Sequence, residues 1–108
     1  MPRSEKRIRT VVVDDSADYL RYLCAFLEVL PNVAVIAKGG SGRDAVRLAH
    51  EWMPDLVLMD VSMPEMTGLE AAAQLTKELP DVIVILTSAF EAEGSGGPVN
   101  KAARLHLS

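Results

Sequence analysis

The sequence predicts a single α/β domain built on a parallel sheet with helices on both faces. Three observations point there. Four short runs are apolar throughout, as strands buried on both faces are. Between them lie segments whose apolar residues recur at helical spacing. The two kinds alternate as βαβαβαβ, at about 25 residues per βα unit. A chain of 108 residues supports one core, and 49% apolar with 24% charged residues is an ordinary globular composition.

Ile8 to Val13 is rich in β-branched residues and reads as the first strand, ending at Asp14-Asp15. Ser16 is a suitable N-cap for the helix that follows. In that helix Leu20, Leu23, Cys24, Leu27 and Leu30 recur until Pro31 stops it. Val33 to Ala37 is the second strand, closed by Gly39-Gly40-Ser41-Gly42. Ala45, Leu48, Ala49 and Trp52 mark the inner face of a second helix, so Trp52 is expected in the core. Leu56 to Met59 is the third strand, ending at Asp60, and Val61 to Gly68 is a loop. Leu69, Ala72, Ala73, Thr76 and Leu79 mark a third helix ended by Pro80. Val82 to Leu86 is the fourth strand, running into Thr87 and Ser88. Beyond it, Gly94-Ser95-Gly96-Gly97-Pro98 reads as flexible, and Val99 to Leu107 as a short fourth helix. The division is an N-terminal arm over residues 1–7, a core over 8–90, and a flexible segment with that short helix over 91–108.

Charge and cysteine content narrow the function. Eleven Lys and Arg against fifteen Asp and Glu give a net charge of −4, which disfavours nucleic-acid binding. Arg3, Lys6, Arg7, Arg9 and Arg21 are the one basic concentration, read as a solvated tail. The single Cys24 excludes an internal disulfide framework and a multi-cysteine zinc site, and it reads as a buried thiol. No apolar run reaches the roughly 18 residues of a membrane span, and the N-terminus lacks signal-peptide architecture. A reducing, cytoplasmic setting is expected.

The chemistry lies at the strand ends. In an open parallel sheet, ligands bind beyond the carboxyl ends of the strands. Here those ends carry Asp14 and Asp15, then Asp60, then Thr87 and Ser88. Right-handed crossovers bring strands one and three side by side if strand two lies outside strand one. Neighbouring strands are about 4.8 Å apart, so the carboxylates could share one ion. Their mutual repulsion calls for a cation, and an all-oxygen donor set selects a hard one, Mg²⁺ or Mn²⁺. Other chemistries fit less well. A haloacid-dehalogenase-type site wants a second Asp at the position of Ser62, and Gly39 to Arg43 lacks the Gly-Lys-Ser/Thr ending of a P-loop. His50 and His106 have no partner at metal spacing and read as surface residues.

Val12-Val13-Asp14-Asp15-Ser16, the run from Leu58 through Asp60, Met63-Pro64 and Gly68 to Glu70, and Ile85-Leu86-Thr87-Ser88-Ala89 resemble the receiver domain of two-component response regulators over residues 8 to 90. The resemblance implies a flavodoxin-like sheet of order 2-1-3-4. It implies that Asp60 accepts a phosphoryl group from a sensor histidine kinase, a phosphotransfer protein or a small phosphodonor. It implies Mg²⁺ held by Asp15, Asp60 and the Ser62 backbone carbonyl, with Asp14 acting through a water. It implies a Thr87 hydroxyl bonded to a phosphoryl oxygen, and Ser62 and Ala89 as flanking residues that tune the lifetime. Such a domain is a phosphoacceptor with slow self-catalysed phosphotransfer, and does not turn over substrate as a conventional enzyme does.

The chain departs from that pattern at its end. The family's fifth strand, its terminal Lys and the fifth helix are missing, and Lys101 does not match the family position. Strand four is therefore expected to be a bare apolar edge, and a homodimer through the fourth-strand side is expected from it. The competing reading is a receiver-derived interaction module that has lost the phosphorylation switch.

Overall fold

A computed structural model describes residues 6–88 and 102–105, with Ser88 and the last four through their backbone. It contains β1 (Ile8–Val13), α1 (Ala17–Glu28), β2 (Val33–Gly39), α2 (Gly42–Trp52), β3 (Leu56–Asp60), α3 (Gly68–Glu78), β4 (Ile83–Ser88) and β5 (Ala102–Leu105). The sheet order is β2-β1-β3-β4-β5. The first four strands in that order are parallel, as the sequence predicts, and β5 runs antiparallel to β4.

Among the described residues, the two faces of the sheet are unequally covered. Val11 and Val13 of β1, Val57 and Met59 of β3, and Val84 and Leu86 of β4 alternate onto one face. There they meet Ala45, Leu48 and Ala49 of α2 and Ala71, Ala72 and Leu75 of α3 in one continuous core. The opposite face receives α1, which packs on β1 and β2. Cys24 is buried beneath it, as expected, and its burial pushes the thiol pKa up.

Each helix starts on a side-chain cap. Ser16 Oγ accepts from the Tyr19 amide, Ser41 Oγ from the Asp44 amide, and Thr67 forms a reciprocal capping box with Glu70. Helix α2 ends with Met53 in the left-handed region, φ 45°. Arg9 locks that end. Its guanidinium donates to the carbonyls of Trp52 (2.7 Å) and Met53 (2.6 Å), while its amide donates to Asp55 Oδ2 at 2.8 Å. A cation on terminal helix carbonyls satisfies orphan acceptors and opposes the helix dipole.

Several sequence expectations are corrected. Arg9 belongs to this lock and not to a solvated arm, and Arg21 pairs with Asp18 on α1. Trp52 is 45% exposed instead of buried, because it lies on the last turn of α2, beyond the sheet-facing stripe Ala45, Leu48 and Ala49. The inner face of α3 is Gly68, Ala71, Ala72 and Leu75, with Leu69 at 56% exposure and Ala73 exposed. Small residues let α3 approach the sheet closely, and bulk at Leu69 misdirects a reading by hydrophobicity. Residues 102–105 form β5 where a helix is expected. The open N–H and C=O groups of β4 offer that segment a ladder, so the β4 edge is paired from Ile85 to Ser88. The arm up to Glu5, residues 89–101 with Ala89 and Lys101, and residues 106–108 with His106 lie outside the described residues.

Replacing Arg9 by Ala should lower the unfolding free energy by about 2 kcal/mol, since two charge-assisted bonds are lost. Urea unfolding checks this, with Lys6→Ala, at an exposed position, as the neutral control.

Candidate functional site

The site is built by strand register. Val13 pairs with Met59, so the next residues along β1 and β3, Asp14 and Asp60, come level at the carboxyl edge. Asp60 in turn pairs with Thr87 of β4. One carboxylate oxygen from each of Asp14, Asp15 and Asp60 lies within 4.8 Å of the others. Opposite ligands of a single Mg²⁺ are about 4.2 Å apart, so oxygens up to 4.8 Å apart come onto one hard cation with a small inward movement. Among the described residues this is the one cluster of its kind.

The side chains are held from several directions. Asp14 is 2% exposed, and its Oδ1 accepts from the Ser16 amide at 2.9 Å. Asp60 is 4% exposed, and its Oδ1 accepts from the Ser62 amide at 3.3 Å. Asp15 remains exposed, as an oxygen facing an arriving ligand must be. Thr87 is 3% exposed, and its Oγ1 is a buried hydroxyl without a hydrogen-bond partner among the described residues. An unmet buried hydroxyl costs about 1–3 kcal/mol, so a ligand that supplies an acceptor there is favoured.

The loop between β3 and α3 is pinned at both ends. The Val61 amide donates to the Thr87 carbonyl (2.9 Å), and the Gly68 amide to the Val61 carbonyl (2.8 Å). A Cβ on Gly68 would run into the Asp60 carbonyl oxygen, and one on Gly42 would sit 2.6 Å from the Met66 carbonyl oxygen. These two glycines let the loop close down between the site and α2. Glu65 takes the left-handed conformation, φ 66°, at the loop's turn.

The field of the site reaches beyond it. Burial and the negative charge of Asp14, with smaller contributions from Tyr22 and Asp60, push the Tyr19 phenol up to about 12. Asp44, at the start of α2, is held below the usual carboxylate range by the Gly40 amide and the Arg47 guanidinium.

The comparisons with known proteins agree with this geometry. The family model described as "Response regulator receiver domain" matches residues 10–102. The chain belongs to the response regulator receiver family. The receiver is 39% identical to the transcriptional regulatory protein LiaR of Bacillus subtilis over 98 residues, 91% of this chain and 46% of that protein. It superposes on the receiver domain of the putative response regulator NarL of Mycobacterium tuberculosis with a TM-score of 0.74 and 32% identity, covering 80% of this chain and 69% of that one. The response regulator domain of Thermotoga maritima CheB gives 0.74 and 35%, covering 84% and 67%. The chain thus spans less than half the length of LiaR.

The structure brings together Asp14, Asp15, Asp60 and Thr87, and places the Ser62 amide on Asp60. His50 is a surface residue as expected, bridging to Glu78 on α3 at 2.7 Å. Sequence reading did not single out Tyr19. Its position in the first helical turn after Asp14-Asp15 is the signal that could have found it.

Gly68→Ala should destabilise the receiver by on the order of 2 kcal/mol or more, because the collision is with backbone. Gly40→Ala, whose Cβ would come no closer than 3.9 Å to the Asp14 carbonyl oxygen, should cost far less. Paired urea titrations compare them.

Proposed function

We propose that this receiver accepts a phosphoryl group on Asp60 with the help of Mg²⁺. The convergence of three carboxylates on one point supports the reading most directly. Asp15, Asp60 and the Ser62 backbone carbonyl would hold the ion, and Asp14 would act through a water. When bound, the cation neutralises the oxygens of an incoming phosphoryl group. An Asp60 carboxylate oxygen attacks phosphorus, a P–O bond to Asp60 forms, and the bond to the donor's leaving group breaks. Thr87 Oγ1 then donates to a phosphoryl oxygen, which meets its buried hydroxyl and draws β4 toward the modified Asp60.

The donor is a sensor histidine kinase or phosphotransfer protein, and the receiver is its acceptor, not a turnover enzyme. The setting is cytoplasmic, where such donors act. The relatives are longer regulators, so the chain serves as the regulated input of a larger protein. An interaction module without the switch would have no need of this acidic cluster. Incubation with Mg²⁺ and acetyl phosphate should add the mass of one phosphoryl group. Asp60→Asn should abolish the adduct, and chelation of Mg²⁺ should reduce it severely. Absence of an adduct in the wild-type protein, with Mg²⁺ bound, would contradict the reading.

The same reading includes a homodimer on the fourth-strand side. It is supported by Ile83, 52% exposed on β4. Sedimentation at micromolar concentration should show a dimer that Ile83→Asp dissociates. A wild-type monomer would remove this part of the reading.

A further inference from the structure

Helix α2 gives none of the three carboxylates to the acidic centre, yet it touches the loop that follows the acceptor. A Cβ built on Gly42 would stand 2.6 Å from the Met66 carbonyl oxygen and 2.9 Å from Met66 Cβ and Cγ. The loop thus rests on the backbone of the first α2 residue, with no room for a methyl group between them. The helix is the fixed partner in this contact. Ser41 Oγ accepts from the Asp44 amide and Asp44 Oδ2 from the Gly40 amide, both at 3.0 Å, while Ala45, Leu48 and Ala49 anchor α2 in the core. On the loop, Met63 is buried, Glu65 makes the left-handed turn, and Met66 is half-buried against the core. Segments with fewer buried contacts give way first, so bulk at position 42 displaces the loop and not the helix.

That loop carries Ser62, whose amide meets Asp60 Oδ1 at 3.3 Å. The bonds at Val61 and Gly68 fix its two ends, and Gly42 limits how far its middle can sink toward α2. We propose that Gly42 and Met66 form a positioning stop, which sets where the Ser62 backbone stands beside Asp60 and so sets the preference of the centre for Mg²⁺ over larger cations. This rests on the reading that the Ser62 carbonyl is an ion ligand. Mg²⁺ demands near-octahedral geometry at about 2.1 Å, whereas Ca²⁺ accepts flexible geometry at about 2.3–2.6 Å. A small displacement of one ligand is therefore felt by Mg²⁺ first.

The test uses the whole chain and the metal ions alone, with Mg²⁺ and Ca²⁺ affinities read by calorimetry and folding by urea titration. Gly42→Ala should weaken Mg²⁺ binding about 10-fold, the scale for residues that orient a ligand without touching the ion, and Ca²⁺ binding much less. Gly40→Ala is the control, because its Cβ meets only the Asp14 carbonyl oxygen, at 3.9 Å. Both affinities should hold there. Met66→Gly removes the side-chain part of the stop and should lower the ratio of Mg²⁺ to Ca²⁺ affinity in the same direction, by a smaller factor. It decides the matter if Gly42→Ala does not fold. An unchanged ratio in Gly42→Ala overturns the proposal, whether the two affinities hold or fall together, since a merely structural contact weakens both ions alike. An unchanged ratio in Met66→Gly does the same where Gly42→Ala is unfolded. Failure of the wild-type protein to bind Mg²⁺ would instead refute the acidic centre as an ion site, and this inference with it.

Discussion

The parallel register between β1 and β3 is the constraint on which the rest depends. Pairing Val13 with Met59 brings Asp14 level with Asp60 without any long-range contact between the carboxylates themselves. A slip of one residue would turn every side chain of the strand to the opposite face, exchange the packing partners of the fully buried Val11, Val12 and Val13, and carry Asp60 out of line with Asp14. The hydrophobic core therefore enforces the register, and the register places charges that the core would otherwise reject. Like charges this close are tolerable because Ser16 and Ser62 amides reach Asp14 and Asp60, and because Asp15 stays in water.

The two ends of the sheet are built on different principles. At the carboxyl end, backbone groups and glycines let segments approach closely around a charged centre. Gly68 lies against the Asp60 carbonyl, Gly42 admits Met66, and Thr87 fixes Val61. At the amino end, Arg9 ties together β1, Asp55 and the terminus of α2. The first arrangement leaves a buried hydroxyl unmet among the described residues; the second satisfies helix carbonyls that would otherwise lack donors. Among the described residues, the one buried hydroxyl without a partner, that of Thr87, lies where a ligand can answer it.

Much of this was legible in the sequence. The strands are apolar runs whether or not both faces are covered, as Ile83 on β4 shows, and acidic or hydroxyl residues at three strand ends define one edge whatever the helices do. The departures share a physical cause. On α3, contacts are made by Gly68, Ala71 and Ala72, whose small size is what packs well and what hydropathy cannot weigh. Trp52 and Leu69 look like core by composition and sit at helix ends, where the buried stripe has turned away from the sheet or not yet reached it. Arg9 alternates outward in β1, and only the tertiary position of α2 gives it carbonyls to bind. The pairing of β5 with β4 is a long-range match that local periodicity does not encode.

The unequal layers have a consequence for motion. Helices α2 and α3 each bury four residues, whereas α1 buries Cys24 alone. Elements with few buried contacts open at lower free energy than the rest of a domain. Among the described helices, α1 is thus the one expected to open at the lowest free energy, and the segment that launches it carries Asp14 and Asp15. Any cation gripped between those residues and Asp60 would act as a clasp on the weakest layer, damping its fluctuations while it prepares the chemistry.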